Sequence, residues 1–174
     1  MDKKSNITIA TAIGTLSSGL MAAVIKEFNG DIGRNTINAI IVITSAVGVI
    51  SFIFSKMNEK QLVLSLIISQ IVRFIAILAY ATIGYDIKIM MLIVATSEVL
   101  AVTFNGVFNR VMVPKVKDGV YFFGKKNSIG KAFILIGVGI SIALQNVNTN
   151  NILISGALIG ILSIIFNIKL LRQL

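Results

Sequence analysis

Long apolar stretches without charge recur through this chain, and they exclude an ordinary soluble core. Residues 7–25 hold no Asp, Glu, Lys or Arg over nineteen positions, and residues 37–54 hold none over eighteen. A helix needs about 20 mostly apolar residues to cross the ~30 Å hydrocarbon layer of a bilayer. The whole chain is 13% charged, whereas soluble domains carry about 25% charged residues. The sequence therefore predicts an integral membrane protein.

Polar turns divide the apolar sequence into six candidate spans. Backbone groups in lipid must bond within the protein, and continuous apolar stretches satisfy this requirement as helices rather than as strands of a barrel. We predict an all-α integral membrane protein with one domain, residues 1–174, helices at about 7–25, 37–54, 62–85, 89–109, 129–147 and 152–168, and a basic loop at about 110–128. A charged start before an apolar stretch also describes a signal peptide. The first stretch is longer than a typical signal-peptide core, so we expect it to be retained.

Basic residues are distributed unevenly between the two sides of this six-span topology. Twelve of the sixteen lie on the side of the termini, three lie on the other side, and Arg73 lies within a span. Lys and Arg accumulate in cytoplasmic loops, which predicts cytoplasmic termini and a cytoplasmic central loop in the cell membrane. The net charge of +9 is thereby explained by orientation in the bilayer. Nucleic-acid binding would need a basic face on a soluble domain, and no nucleic-acid partner is expected.

Residue types on which much enzyme chemistry depends are missing from the sequence. The chain has no Cys and no His, which removes disulfides, thiolate chemistry and the commonest metal ligand and proton shuttle. No Gly-rich phosphate motif, catalytic carboxylate pair or nucleophile constellation is present in the sequence. We therefore predict no enzyme activity, no cofactor and no metal site.

Two charges, Arg73 and Glu98, lie deep within predicted spans. Counted from the adjacent turns at ~1.5 Å per residue, both lie near the middle of the membrane. A charge there costs ~2.5–3.5 kcal/mol on the insertion scale, so each needs a polar partner. One interpretation is a carboxylate at Glu98 that couples to substrate or protons, with Arg73 as its partner. The other is a structural ion pair in a packed bundle.

The sixth span contains Gly156 and Gly160 at GxxxG spacing. Small residues at this spacing allow two helix backbones to approach closely. Packing within the bundle is the commoner use of such a pair, and dimerisation is the alternative.

Three stretches share a pattern with one transporter family. Residues 54–60, FSKMNEK, lead into a span; residues 104–114, FNGVFNRVMVP, end another; and residues 127–144, NSIGKAFILIGVGISIAL, carry recurring small residues. In this order they resemble the N-terminal six-helix half of a major facilitator superfamily transporter, most closely its drug and macrolide efflux branch. The resemblance covers nearly the whole chain and implies two three-helix repeats.

The resemblance also implies roles for particular residues. Ser55, Lys56 and Lys60 stand where the family has a gating turn, and Arg110 and Pro114 stand at the end of its fourth helix. The acidic residue of the family's turn is replaced here by Ser55. The fifth helix also lacks the Gly-Pro step of the antiporters. A second six-helix half does not follow in this sequence, although the family binds substrate between two halves.

The function expected from these features is membrane transport of small molecules by a half-size or truncated efflux transporter. Such a protein would act as a homodimer or with a partner half-transporter. A substrate-capture subunit of an energy-coupling transporter has about the same size and would co-purify with ATPase subunits. An immunity or accessory membrane protein without transport activity, or the inert product of a truncated transporter gene, is the third hypothesis.

Overall fold

The computed structural model describes residues 2–20, 38, 41–42, 45–46, 53–84, 86–144 and 146–174. These described residues are all-helical and contain no strand. Five α-helices account for most of them: α1 (Lys3–Leu20), α2 (Glu59–Ile83), α3 (Ile87–Met112), α4 (Gly119–Ala143) and α5 (Thr149–Gln173), with a 3-10 turn at Val113–Lys115 after α3.

Four of the described helices, α2 to α5, are long and apolar enough to cross a membrane. The outer surfaces of these helices are apolar, as are the faces by which the helices contact one another. Ile75 and Leu135 are two of many large aliphatic side chains that remain exposed. A water-soluble bundle would place polar residues on that face. These features indicate a multi-pass membrane protein.

Three of the predicted spans correspond to helices of the structure, and two others extend beyond the described residues. Spans at 62–85, 89–109 and 152–168 each correspond to one helix, with ends that differ by a few residues. Of the predicted first span, residues 7–20 belong to α1 and the remainder lies outside the described residues. Most of the predicted span at 37–54 lies outside them, and its described residues, 38, 41–42, 45–46 and 53–54, are helical.

The predicted basic loop at 110–128 is wrong in extent. Helix α3 continues to Met112, and α4 begins at Gly119 rather than at residue 129. The connection is therefore only six residues long, 113–118. The loop was predicted because charged residues were taken as the end of a helix. Lysine is a good helix former, and a helix can extend beyond the apolar layer while its charged side chains reach water.

The short connection depends on a close backbone contact. Asp118 adopts a left-handed conformation, with φ of 57°, and reverses the chain before α4. A Cβ atom added to the next residue, Gly119, would lie 2.0 Å from the carbonyl oxygen of Val113. Any side chain at position 119 would therefore collide with the backbone of the 3-10 turn.

Both ends of the described chain lie at the same end of the bundle. The side-chain amide of Asn6 donates a hydrogen bond to Gln173 Oε1 at 2.9 Å. Lys4 Nζ donates to the carbonyl oxygen of Lys117 at 2.9 Å, which places the connection between α3 and α4 at this end too. A salt bridge joins the first residue of α2 to the same connection. Helices α1, α2 and α4 therefore run away from this end, and α3 and α5 return to it.

The helices pack in a defined order. Helix α1 packs against α4 and α5, and α2 packs against α3 and α5. Two hydrophobic clusters fill the interior. The first includes Leu62 and Ile67 of α2, and the second includes Ala76 and Ile77 of the same helix. Polar residues lie between them on α2, so the bundle has a buried polar layer bounded by apolar side chains.

Candidate functional site

A partly open cavity of about 100 Å³ lies between the described helices and is lined by side chains from all five of them. Its polar lining includes Thr11, Thr15, Ser18, Gln70, Arg73, Glu98, Asn105, Lys126 and Asn167. On α1, α2 and α3 these residues are separated by three, four or seven positions, which places them on one helical face. We call this space the central cavity.

Arg73 and Glu98 form an ion pair at the wall of the central cavity. Arg73 Nη1 also donates to Ser18 Oγ at 3.1 Å, and Ser18 Oγ donates to Glu98 Oε1 at 2.8 Å. The hydroxyl of α1 thereby joins the charges of α2 and α3. The Arg73 side chain is 6% exposed, whereas the Glu98 side chain is 32% exposed. The cation is enclosed by protein, and the carboxylate remains accessible.

A second polar group connects α2 to α5 and α1. Gln70 Nε2 donates to Ser163 Oγ at 3.3 Å, and Asn167 Nδ2 donates to Gln70 Oε1 at 3.1 Å. Ser163 Oγ in turn donates to the carbonyl oxygen of Ala10 at 2.9 Å. Each buried polar side chain in this group has a partner, as a low-dielectric interior requires. The group fixes the relative positions of three helices around the cavity.

Lys126 of α4 also lines the central cavity. It is 2% exposed, and its ammonium group donates to the side-chain oxygens of Asn105 and Asn109 at 2.7 Å each. Both amides belong to α3, four residues apart and therefore on one face. Among the described residues no carboxylate lies within salt-bridge distance of Lys126. Within the described part of the chain its ammonium group contacts only neutral groups, the two amides and the Phe123 ring, whose centroid lies 5.5 Å from Nζ.

The glycine pair of the sixth predicted span lies against α1. Ser17 Oγ donates to the carbonyl oxygen of Gly156 at 2.7 Å, and a Cβ added to Gly160 would lie 3.0 Å from the same hydroxyl oxygen. Both glycines therefore contribute to a close contact between α1 and α5, beside the central cavity.

The other residues singled out by the family resemblance lie away from the cavity. Ser55, Lys56 and Lys60 are exposed around the start of α2. Arg110 is exposed in the last turn of α3, and Pro114 is exposed in the 3-10 turn. Next to these positions, Lys115 Nζ and Glu59 Oε1 form a salt bridge at 2.9 Å, which joins the start of α2 to the connection after α3.

Several cavity residues were missed by sequence analysis. Lys126 was assigned to the basic loop, so its burial was not foreseen. Asn105 and Asn109 offered a signal, since two amides four residues apart near the end of an apolar span can bond to a neighbouring helix. Gln70 and Asn167 carried the same kind of signal within their spans.

A larger cavity, of about 450 Å³, lies between α2 and α3. Its lining is mostly aliphatic and includes Ile68, Val72 and Phe104, with Ser and Thr as its only polar side chains among the described residues. It offers no charge with which to select a ligand. The central cavity is therefore the candidate functional site.

Comparisons with protein-family models, with curated proteins and with solved structures gave no match.

Proposed function

We propose that the protein is a membrane transporter of small molecules whose substrate passes through the central cavity. The observation that carries this proposal is the unequal exposure of the ion pair. Glu98 is about one-third exposed while its partner Arg73 is enclosed. A purely structural pair gains nothing from an accessible carboxylate, whereas a coupling group must reach both its partner and the cavity. Ionisable residues within membrane spans commonly mark substrate pathways or proton relays.

The apolar clusters on either side of the polar layer support the same function. One cluster packs Phe108 and Leu170 at the end of the bundle that holds the termini, and the other packs Met90 and Leu153 towards the opposite end. A transporter must close its pathway on at least one side while substrate is bound. Apolar layers around a polar cavity provide such a closure.

We further propose a six-helix unit in the cell membrane with cytoplasmic termini, similar to one half of a major facilitator transporter. Helix α1 leaves the end that holds the termini and rises ~27 Å over its length, whereas α2 starts again at that end. The hypothesis of a span at 37–54 accounts for this return and makes the number of crossings even. A homodimer or a partner half would supply the second half of the pathway.

Transport can be tested with purified protein in liposomes. A pH gradient would be imposed, and the uptake of radiolabelled small acids, small bases and neutral solutes would be compared with that into empty liposomes. We expect saturable, gradient-dependent uptake of one class, and at least a tenfold loss in Glu98→Gln. Gradient-dependent uptake of no class, by protein shown to be folded and inserted, would contradict the proposal.

A further inference from the structure

We infer that the central cavity binds a small organic anion, with Lys126 as the residue that recognises its negative charge. This inference rests on the proposed function only in treating the bound anion as the transported molecule. The binding site itself follows from the contacts of Lys126.

The first argument is the charge balance of the cavity. Among the described residues, three charged side chains line it: Arg73, Glu98 and Lys126. Arg73 and Glu98 neutralise one another, so a protonated Lys126 leaves the described part of the lining with one net positive charge. Buried charges in proteins are normally paired with an opposite charge, and Lys126 has no such partner among the described residues. An anionic ligand would supply it.

The second argument is the number of donors that Lys126 offers. An ammonium group has three N–H donors and no acceptor. Two of them are directed at Asn105 and Asn109, and these contacts hold the group at the cavity wall. No hydrogen bond to the described residues uses the third donor, and the only other contact of the ammonium group among them is the Phe123 ring, whose centroid lies 5.5 Å from Nζ. The amide nitrogen of Asn105, which also lines the cavity, is a second group that can donate to an anion.

The third argument is the position of Lys126 relative to Glu98. The partner of Lys126, Asn105, lies seven residues after Glu98 on α3, a rise of ~10 Å. An anion at Lys126 is therefore separated from the carboxylate that would repel it. Apolar side chains, among them Val63, Leu66 and Leu170, also line the cavity beside its polar groups, which favours an organic anion with a short hydrocarbon part over an inorganic ion.

The cavity is partly open, and the space within it favours a small ligand. An apolar cavity of about 150 Å³ can hold benzene, and the central cavity measures about 100 Å³. A monocarboxylate with two to four carbon atoms matches this volume. The chemical class that we infer is therefore a short-chain carboxylate.

Binding can be measured without transport. Radiolabelled propionate would be equilibrated with detergent-solubilised wild-type protein, and competition by unlabelled propionate would be compared with competition by chloride, inorganic phosphate and tetramethylammonium at equal ionic strength. We expect saturable binding that only propionate displaces efficiently. Lys126→Gln should weaken the affinity at least tenfold, and Lys126→Arg should retain most of it. The matched control is Lys125→Gln, because Lys125 is the adjacent residue and is exposed.

Each result decides the inference. No saturable propionate binding by wild-type protein would overturn it, as would unchanged affinity in folded Lys126→Gln or equal displacement by chloride. If Lys126→Gln does not fold, the wild-type and Lys126→Arg titrations still decide whether the cavity binds propionate. Propionate binding without flux in liposomes would support the site and contradict transport. Flux of a base or a neutral solute without propionate binding would support transport and contradict the anion site.

Discussion

Gly19 of α1 and Gly137 of α4 bring the two helix backbones into direct contact. A Cβ atom added to Gly137 would lie 2.9 Å from the Cα atom of Gly19 and 2.6 Å from the carbonyl oxygen of Leu16. A Cβ on Gly19 would lie 2.4 Å from the carbonyl oxygen of Ile134. The obstacles are backbone atoms, which cannot move aside as a flexible side chain does.

This contact predicts that Gly137→Ala destabilises the protein. The added methyl group must push α4 away from α1, and overpacking of this kind costs about 1–3 kcal/mol. The midpoint of thermal unfolding in detergent should fall. Gly139→Ala is the matched control, because Gly139 lies two residues away and a Cβ there would meet no atom of the described residues within 4 Å. Equal stability of the two variants would contradict the helix contact.

Hydropathy was enough to predict the positions of most spans. Features of the fold that depend on which side chains contact each other could not be predicted from the sequence. Apolar length was enough to locate α2, α3 and α5, because a span must match the thickness of the bilayer. The start of α4 could not be placed in this way. Its first turns contain Lys125 and Lys126, and only the structure shows that one is exposed while the other is bonded to Asn105 and Asn109.

The residues of the candidate site were also predicted only in part from the sequence. Arg73 and Glu98 were identified because a charge in an apolar span needs a partner, and the structure brings them together. The involvement of Ser18 could not be foreseen, since a hydroxyl is common in membrane helices and its partner depends on which helices are neighbours. The role of Lys126 was missed for a different reason, because charged residues were taken as the end of a helix and 110–128 was assigned as a loop.

The topology predicts that Lys117 and Asn148 lie on opposite sides of the membrane. They lie just before α4 and just before α5, so the 25 residues of α4 separate them by ~37 Å. The chain contains no Cys, so single-cysteine variants at these positions can be labelled selectively. In intact cells, an impermeant maleimide should label the variant at 148 and should label that at 117 only after permeabilisation. Labelling of both in intact cells would contradict the crossing.

The salt bridge between Lys115 and Glu59 should contribute little to stability. The Lys115 side chain is 51% exposed, and solvent screens pairs of this kind to about 0–1 kcal/mol. We expect Lys115→Ala to lower the free energy of unfolding by less than about 1 kcal/mol at low salt, and by less still in 0.5 M NaCl, since added ions screen exposed charges. Lys60→Ala, at an exposed position on α2, is the control. A loss above about 2 kcal/mol that salt does not reduce would show that the contact is more than a surface pair.

The ion pair between Arg73 and Glu98 permits a test that separates a coupling role from a structural one. If the pair is structural, Glu98→Gln leaves an enclosed guanidinium without its counter-charge. Loss of one partner of a buried pair costs about 3–5 kcal/mol, and the partial exposure of Glu98 places our expectation at the lower end. Arg73→Gln should cost less, because the remaining carboxylate is the more exposed partner. The double variant should recover much of the stability, since neither charge is then left alone.

If Glu98 instead couples protons to transport, the two measurements should diverge. Glu98→Gln would then remain folded and inserted but would lose pH-driven flux, and the double variant would not regain flux however stable it became. Thermal unfolding in detergent and uptake into liposomes should be measured on the same preparations of the wild type, both single variants and the double variant. The interaction energy of the double-mutant cycle measures how much the two charges stabilise one another. The flux measures whether transport needs the Glu98 carboxylate. A stable Glu98→Gln variant with full flux would contradict both roles, because the carboxylate would then be needed neither for the fold nor for transport.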